Sequence, residues 1–312
     1  MSNEQKVRIL SSVFGDYSYS GKEVLFHCPA CKHHKKKLSV NIEKDKFKCW
    51  ICNFAGNSLR RLVRRYGNNS QKQEWYKIDD RIDLSGDLDF DLFEKHEHQE
   101  SKIDLPAEFV SLCNKDTLAN SIPIGYLKKR GIDKQDILKW KIGYCSRGEH
   151  EGRIVVPSFN RKGEPNFFIS RRYMESVFPK FKNPSVSKDV IFNELYLDFD
   201  EDLIITEGVF DAINAGDNAV PILGSTMSER SRLFQKIVQY DSTVYMALDP
   251  DAEEKENKII ESLLKYGIEV YKIDVAPYKD VGEMPKHEFQ KRKKDAQLVD
   301  NDNYFIYRTM CL

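Results

Sequence analysis

Four cysteines stand in two close pairs near the beginning of this 312-residue chain, and seventeen residues separate one pair from the other. Structural zinc takes four tetrahedral ligands, and a C-x2-C turn presents two thiolates to one ion. We therefore predict one structural Zn²⁺, held by Cys28, Cys31, Cys49 and Cys52. Because a zinc ion with four thiolate ligands has no open coordination position, we expect this zinc ribbon to be a folding unit and a binding surface rather than a catalytic site.

Acidic residues follow three predicted strands in the second half of the chain. They are Glu207 and Asp211 after the first of these strands, Asp249 and Asp251 after the second, and Asp280 after the third. Ligands of parallel α/β sheets bind beyond the carboxyl ends of the strands, so we expect these acids to converge. Carboxylate oxygens suit Mg²⁺ or Mn²⁺, which hold phosphates and assist phosphoryl transfer. The pattern predicts a catalytic Mg²⁺ or Mn²⁺ site.

The elements that must position these acids alternate regularly. Strands predicted at 203–206, 219–223, 243–248 and 269–273 are separated by helices at 210–215, 228–239 and 252–266. This alternation predicts a parallel α/β sheet.

The part of the chain before this sheet has a different pattern. Leu105-Pro106 suggests the start of a helical region, and two short helices are expected within 124–140. The β-branched stretch 153–157, a turn at 160–163 and a second strand at 166–170 predict a hairpin.

The ribbon is expected to contain strands at 38–42 and 46–49, followed by a basic helix at 58–66. Its basic residues, with Phe47, Trp50 and Phe54 nearby, suit single-stranded nucleic acid. A solvated basic face is the alternative.

Charge is unevenly distributed, although 49 basic residues balance 49 acidic ones. Residues 1–76 contain fifteen Lys and Arg against six Asp and Glu, whereas residues 77–104 contain four against ten. The acidic stretch lacks a clear period and predicts a linker, with a clamp or nucleic-acid mimic as the alternative. Overall neutrality disfavours a uniformly basic nucleic-acid coat protein.

Several classes of protein are disfavoured by what the sequence lacks. Its apolar runs are much shorter than the roughly 20 residues of a membrane span, and its first residues are charged, so we expect a cytoplasmic protein without membrane partners. It has no P-loop motif, and its remaining cysteines lack a catalytic histidine pattern.

With these motifs in place, most of the chain resembles the bacterial and phage TOPRIM-type DNA primases. The ribbon, Tyr126–Gly131, Lys141–Tyr144 and the basic block of Arg153–Pro184 resemble the zinc-binding domain and the first part of the polymerase core. The acidic positions and the glycine turn at Gly224 resemble the TOPRIM part. The absence of a motor motif suggests a compact phage form without a helicase domain, which would work in the host cytoplasm.

The resemblance implies roles for individual residues. Template and nucleotide binding fall to the basic residues Arg153, Arg171, Arg172, Lys180 and Lys182. Catalysis falls to Glu207, Asp211, Asp249, Asp251 and Asp280, of which Glu207, Asp249, Asp251 and Asp280 would hold the Mg²⁺ or Mn²⁺. Glu207 could also act as an acid–base or charge-positioning group. The chain departs from the family at Cys31, where His is frequent, and at Pro250 and Glu253, which flank the second aspartate.

The implied fold is an α/β TOPRIM parallel sheet with an α+β basic subdomain, preceded by the zinc ribbon. We expect a ribbon at 1–70, an acidic linker at 71–105, a basic subdomain at 106–198, a metal-binding subdomain at 199–285 and a basic tail at 286–312. The implied activity is that of a DNA-directed RNA polymerase, a nucleotidyltransferase that makes RNA primers from NTPs on single-stranded DNA. A replicative helicase is the expected partner. The alternatives are a TOPRIM nuclease or topoisomerase, and a zinc-ribbon single-strand-binding or recombination-mediator protein without catalysis.

Overall fold

The computed structural model describes residues 3–52, 54–56, 58–78, 103–113, 120–224, 227–299 and 304. The chain divides into two compact units, Met1–Asp83 and Leu84–Leu312. Residues 79–102, most of the predicted acidic linker, lie outside the described residues, as does most of the tail after residue 299. Within the described residues, none of the helices combines the length and apolar character that crossing a membrane requires.

The first unit is a five-stranded antiparallel sheet with helices before and after it. Its elements are α1 (Asn3–Phe14), β1 (Ser18–Ser20), β2 (Glu23–Phe26), β3 (Leu38–Asn41), β4 (Lys46–Cys49), β5 (Ala55–Gly56), α2 (Leu59–Tyr66) and α3 (Asn69–Ile78). The strands follow one another in sequence order across the sheet. Because the two strands between the cysteine pairs are adjacent, their ends bring the pairs together. The predicted ribbon strands and basic helix are therefore present.

The first unit also includes residues 71–78, which we expected to be part of the acidic linker. Residues 71–78 lie in α3, where Trp75 is 1 % exposed and packs in the same core as Leu10, Phe26 and Leu62. A buried tryptophan removes a large apolar surface from water, which stabilises a helix that the local sequence only weakly favours. The expected start of the linker at residue 71 is therefore wrong, because residues 71–78 belong to a packed helix of the first unit.

The second unit contains two sheets. The first is antiparallel, in the order β6 (Phe109–Ser111), β7 (Gly143–Cys145), β8 (Arg153–Phe159) and β9 (Pro165–Arg172). Helices α4 (Ser121–Lys129) and α5 (Lys134–Lys139) precede β7, and Asp133 caps α5 through the amides of Gln135 and Asp136. The predicted hairpin is present as β8 and β9. The helical region expected at Leu105-Pro106 is wrong, because residues 109–111 pair with β7 instead.

The second sheet is parallel in its first four strands, in the spatial order β11, β10, β12, β13, with β14 added antiparallel at the edge. Its elements are β10 (Leu203–Thr206), α6 (Val209–Ala215), β11 (Ala219–Pro221), α7 (Arg232–Tyr240), β12 (Val244–Ala247), α8 (Glu253–Lys265), β13 (Val270–Lys272), α9 (Lys286–Lys294) and β14 (Gln297–Leu298). The predicted α/β class and parallel sheet are confirmed.

One apolar core joins the two sheets of the second unit. Ile154 and Phe167 of the antiparallel sheet belong to the same buried cluster as Ile204 and Ala247 of the parallel sheet and Phe210 of α6. The short apolar strands β10 and β12 are buried along their lengths except at Tyr245, as expected for strands covered on both faces. The carboxyl ends of β10 and β12 are therefore held next to each other, with Thr206 opposite Ala247.

Candidate active site and zinc centre

The four predicted zinc ligands converge in the first unit, where all four sulfur atoms lie within 4.8 Å of one another. The Sγ atoms of Cys28 and Cys52 are 3.8 Å apart, as are those of Cys31 and Cys49. A tetrahedron with Zn–S bonds of about 2.3 Å has sulfur–sulfur edges of about 3.8 Å, so the spacing fits zinc. The amide of Ile51 donates to Cys49 Sγ at 3.4 Å, which supports a thiolate at this position.

Only part of the predicted aromatic and basic surface of the ribbon is exposed. Phe47 is buried in the core, and Phe54 is half-buried against it. Trp50, on the second cysteine turn, is 64 % exposed, and Lys48 Nζ lies 5.0 Å from its ring centroid. Trp50 is therefore the aromatic group of these three that is available to stack on a base.

Three predicted acidic residues meet at the carboxyl edge of the parallel sheet. Ligand oxygens of Glu207, Asp249 and Asp251 lie within 4.8 Å of one another. Glu207 Oε2 and Asp249 Oδ1 are buried and accept no hydrogen bond from any residue that the structure describes. Buried carboxylate oxygens without a partner are costly unless a cation binds them. The donor set and these two open oxygens fit a hard divalent ion such as Mg²⁺ or Mn²⁺.

The electrostatics of the edge reflect this crowding. Burial, followed by the negative charges of Asp211, Glu207, Asp280 and Asp251, raises the pKa of Asp249 to about 7. A bound cation would relieve the repulsion and return Asp249 to its ionised form.

Asp211 and Asp280 have structural contacts beside this group. Asp211 accepts from the amides of Gly208 and Gly282, each at 2.9 Å, and joins the loop after β10 to the loop before α9. A Cβ on Gly208 would lie 2.7 Å from Asp211 Oδ2, so any larger residue here would displace this carboxylate oxygen. Burial and the charge of Asp280 raise the pKa of Asp211 to about 6. Asp280 accepts from the amide of Glu283 at 2.8 Å and lies outside the group of three.

Pro250 and Glu253, the two departures from the family pattern, fit the local structure. Pro250 begins a short 3-10 helix directly after Asp249, a position where proline is favourable because its missing N–H needs no partner. Glu253 begins α8 and lies 3.4 Å from Lys272 Nζ. With both residues present, the carboxylates of Glu207, Asp249 and Asp251 still lie close together in space.

A group of cations lies beside the acidic edge. The Tyr126 hydroxyl accepts from Arg171 Nε at 2.8 Å and from Arg130 Nε at 3.0 Å. The same two guanidinium groups lie 5.0 and 5.4 Å from the ring centroid of Phe210. Repulsion by Arg171, then burial, then Lys279 and Arg130 lower the pKa of Lys180. The four basic groups form a surface suited to phosphates.

Lys180 is carried by a segment that returns to the end of β9. The amide of Arg172 donates to the Lys180 carbonyl at 3.0 Å, and the amide of Lys182 donates to the Ser170 carbonyl at 2.9 Å. These bonds fix residues 180–182 at both ends, while Phe178, two residues before this segment, is 87 % exposed.

The other predicted basic residues lie in the same region with different contacts. Arg153 is 2 % exposed and donates to the Lys180 carbonyl, so it supports this segment from below the surface. Arg172 pairs with Glu175 and Lys182 with Glu149.

Three basic residues of the site were missed by the sequence reasoning: Arg130, Lys255 and Lys279. Arg130 had a local signal, since it follows Tyr126 by one helical turn at the end of α4. Lys255, whose Nζ lies 2.6 Å from Glu207 Oε1, and Lys279 are brought to the site by the sheet and had no comparable signal.

Comparison with known proteins adds an independent observation. No family model matches the chain. The DNA primase of Thermotoga maritima is 27 % identical over 232 residues, covering 58 % of this chain and 40 % of that protein. The DNA primase of Aquifex aeolicus is 24 % identical, covering 93 % of this chain and 66 % of that protein. The chain is a relative of the bacterial DNA primases.

Solved primase structures agree with this relationship. The zinc-binding and RNA polymerase domains of the Aquifex aeolicus primase have a TM-score of 0.51 and 19 % identity, covering 95 % of this chain and 84 % of that one. A DnaG primase catalytic domain bound to single-stranded DNA has a TM-score of 0.51 and 16 % identity, covering 62 % of this chain and 77 % of that one. At these identities the likeness concerns the fold, and the chain spans about half the length of the curated primases it matches.

Proposed function

We propose that this protein is a DNA primase, which synthesises short RNA primers from NTPs on single-stranded DNA. The main support for the proposal is that the carboxylates of Glu207, Asp249 and Asp251 converge at the sheet edge. The sequence similarity of the chain to DNA primases agrees with it. A structurally similar DnaG primase catalytic domain is bound to single-stranded DNA, which supports the choice of template. The comparisons do not favour the nuclease, topoisomerase and mediator alternatives.

In this mechanism each group has a distinct task. Glu207, Asp249 and Asp251 hold the Mg²⁺ or Mn²⁺, with Asp280 and Asp211 adding negative charge beside them. The bound ion supplies charge neutralisation at the phosphates in phosphoryl transfer. Arg171, held by Tyr126, and Lys180 bind the triphosphate and template phosphates.

The remaining basic residues support this binding. Arg153 supports the segment that carries Lys180, and Arg172 and Lys182 extend the basic surface. The basic subdomain at 106–198 would thereby bind template and nucleotide, and the subdomain at 199–285 would hold the ion. The zinc unit would contribute Trp50 and its lysines to template recognition. A replicative helicase would supply the template, in the cytoplasm of the cell or, for a phage gene, of its host.

Primer synthesis by purified, zinc-loaded protein tests the proposal. With labelled NTPs, Mg²⁺ or Mn²⁺ and a set of single-stranded templates, we expect short oligoribonucleotides. Asp249→Ala should reduce their formation by at least about a hundredfold, because a ligand of the ion is lost. Glu201→Ala is the matched control, since it removes an exposed carboxylate at the opposite end of β10. Absence of product on every template, with helicase supplied, would overturn the proposal.

A further inference from the structure

The acidic site already contains a cation from the protein itself. Lys255 Nζ lies 2.6 Å from Glu207 Oε1, and the two side chains are only 22 % and 25 % exposed. Among the described residues, the contact of Lys255 with Glu207 is the only ion pair that Glu207, Asp249 or Asp251 forms. Lys255 offsets one of the negative charges of these carboxylates, so a divalent ion at the same carboxylates is attracted less strongly than it would be without the lysine.

The position of Lys255 is unfavourable for the helix that carries it. Lys255 lies in the first turn of α8, between the acidic residues Glu254 and Glu256. Because the amino end of a helix carries partial positive charge, acidic residues stabilise it and a lysine does not. The contact with Glu207, rather than the helix dipole, stabilises Lys255 at this position.

The first turn of α8 is also held firmly against the sheet. Glu256 Oε1 accepts from the amide of Leu248, the residue before Asp249, at 3.3 Å. Glu256 Oε2 lies 3.1 Å from Lys272 Nζ on β13. These contacts connect the beginning of α8 to the loop that carries Asp249, so Lys255 is presented to Glu207 by a fixed element.

We propose that Lys255 is a resident cation of the metal site, which engages Glu207 and weakens the binding of divalent ions to the nucleotide-free protein. The ion then binds more tightly together with a triphosphate, whose negative charges offset Lys255. This inference deepens the proposed function, because it concerns the same carboxylates.

Mn²⁺ binding to the zinc-loaded full chain, without nucleotide, tests the inference directly. Free Mn²⁺ is measured by electron paramagnetic resonance during titration of wild type, Lys255→Gln, Lys255→Arg and Lys258→Gln. Removing a unit charge about 6 Å from a divalent ion in a water-like dielectric should lower the Kd about five- to tenfold. Lys255→Gln should show this decrease, and Lys255→Arg should keep the wild-type Kd.

Lys258→Gln is the matched control. Lys258 lies on the same helix three residues later, where it pairs with Glu254 on an exposed face, and its replacement should leave the Mn²⁺ Kd within about twofold of wild type. Lys255→Met provides a second neutral variant if Lys255→Gln does not fold. A Kd that is unchanged or higher in the neutral variants, or equally lowered by Lys258→Gln, would overturn the inference.

Primer synthesis by the same preparations separates this inference from the proposed function. Wild-type protein that makes no primers but shows the Lys255→Gln shift would overturn the proposed function and support the role of Lys255. Wild-type protein that makes primers while the Mn²⁺ Kd is insensitive to residue 255 would overturn this inference alone.

Discussion

At the scale of single residues, the site combines carboxylates that repel one another with a few contacts that hold them in place. Asp249 is the clearest example, because burial and four neighbouring acids raise its pKa to about 7. Asp211 has a similar environment, but two main-chain amides partly compensate its charge. Repulsion between these carboxylates destabilises the folded protein, and binding of a cation stabilises it.

This repulsion predicts the pH dependence of stability. The folded-state pKa of Asp249 lies above the ordinary value of 3.8, so ionisation of this group destabilises the folded protein as pH rises from about 4 to about 7. Asp249→Asn should therefore raise the Tm by a few degrees at pH 8 without added divalent ions, and by much less at pH 4.

Thermal unfolding at the two pH values, followed by circular dichroism, checks this expectation. Glu201→Gln, at an exposed carboxylate, is the control and should change the Tm little at either pH. A lower Tm for Asp249→Asn than for wild type at pH 8 would contradict the electrostatic account.

The sequence was informative about the acids and less so about the cations. Carboxylates that directly follow β10 and β12 meet because adjacent parallel strands end at one edge, so chain order alone predicts their convergence. The contacts of Lys255 with Glu207, and of Arg171 with Tyr126, join segments that are distant in sequence. Side-chain reach and the packing of α4 and α8 decide them, and neither is encoded in a local pattern.

At the scale of elements, local periodicity predicted the β–α alternation of the parallel sheet, while non-local pairing decided the exceptions. β6 has only three residues and forms because its partner β7 is available. α3 has a mixed polar sequence and is stabilised by the burial of Trp75. In both cases tertiary contacts outweigh the preference of the local sequence.

The pairing of β6 with β7 predicts an asymmetry between two glycines. A Cβ on Gly143 would lie 2.2 Å from the Phe109 ring and 2.6 Å from the Val110 carbonyl oxygen. Because the carbonyl is part of β6, Gly143→Ala should reduce the free energy of unfolding by at least about 2 kcal/mol. Beyond its own helix, a Cβ on Gly125 in α4 would meet no atom of the described residues within 4 Å, so Gly125→Ala should increase the free energy of unfolding by about 0.5–1 kcal/mol.

Urea unfolding of the two glycine variants beside wild type measures both changes. The expectation fails if Gly143→Ala is as stable as wild type, since β6 would then not be held against β7 as described.

At the scale of the whole molecule, the zero net charge is a sum over regions with different tasks. The zinc unit is basic, the edge of the parallel sheet is acidic, and the cations around Lys180 lie next to that edge. Neutrality therefore does not argue against a protein that binds nucleic acid, because binding depends on local rather than total charge.

The two units have separate hydrophobic cores, one around Phe26 and Trp75 and the other around Phe167 and Phe210. Zinc removal is therefore expected to unfold the first unit and leave the second folded. Structural zinc sites contribute directly to folding, and the four thiolates lie within the first unit. Hydrogen exchange with mass spectrometry, before and after chelation, should show loss of protection in β2 to β4 and unchanged protection in β10 and β12.

Cys49→Ser should reproduce the effect of chelation on the first unit, whereas Cys113→Ser, outside the zinc ligands, should not affect it. Loss of protection throughout the parallel sheet on chelation would contradict the independence of the two cores.

Separate cores also affect how the sequence can diverge in evolution. A substitution that enlarges or shrinks a side chain in one core is compensated by neighbours in that core, because energetic coupling is strongest between residues in contact. The zinc unit and the unit that carries the acidic edge can therefore accumulate substitutions at different rates. Homologues with closely similar acidic edges can then differ strongly in their zinc units.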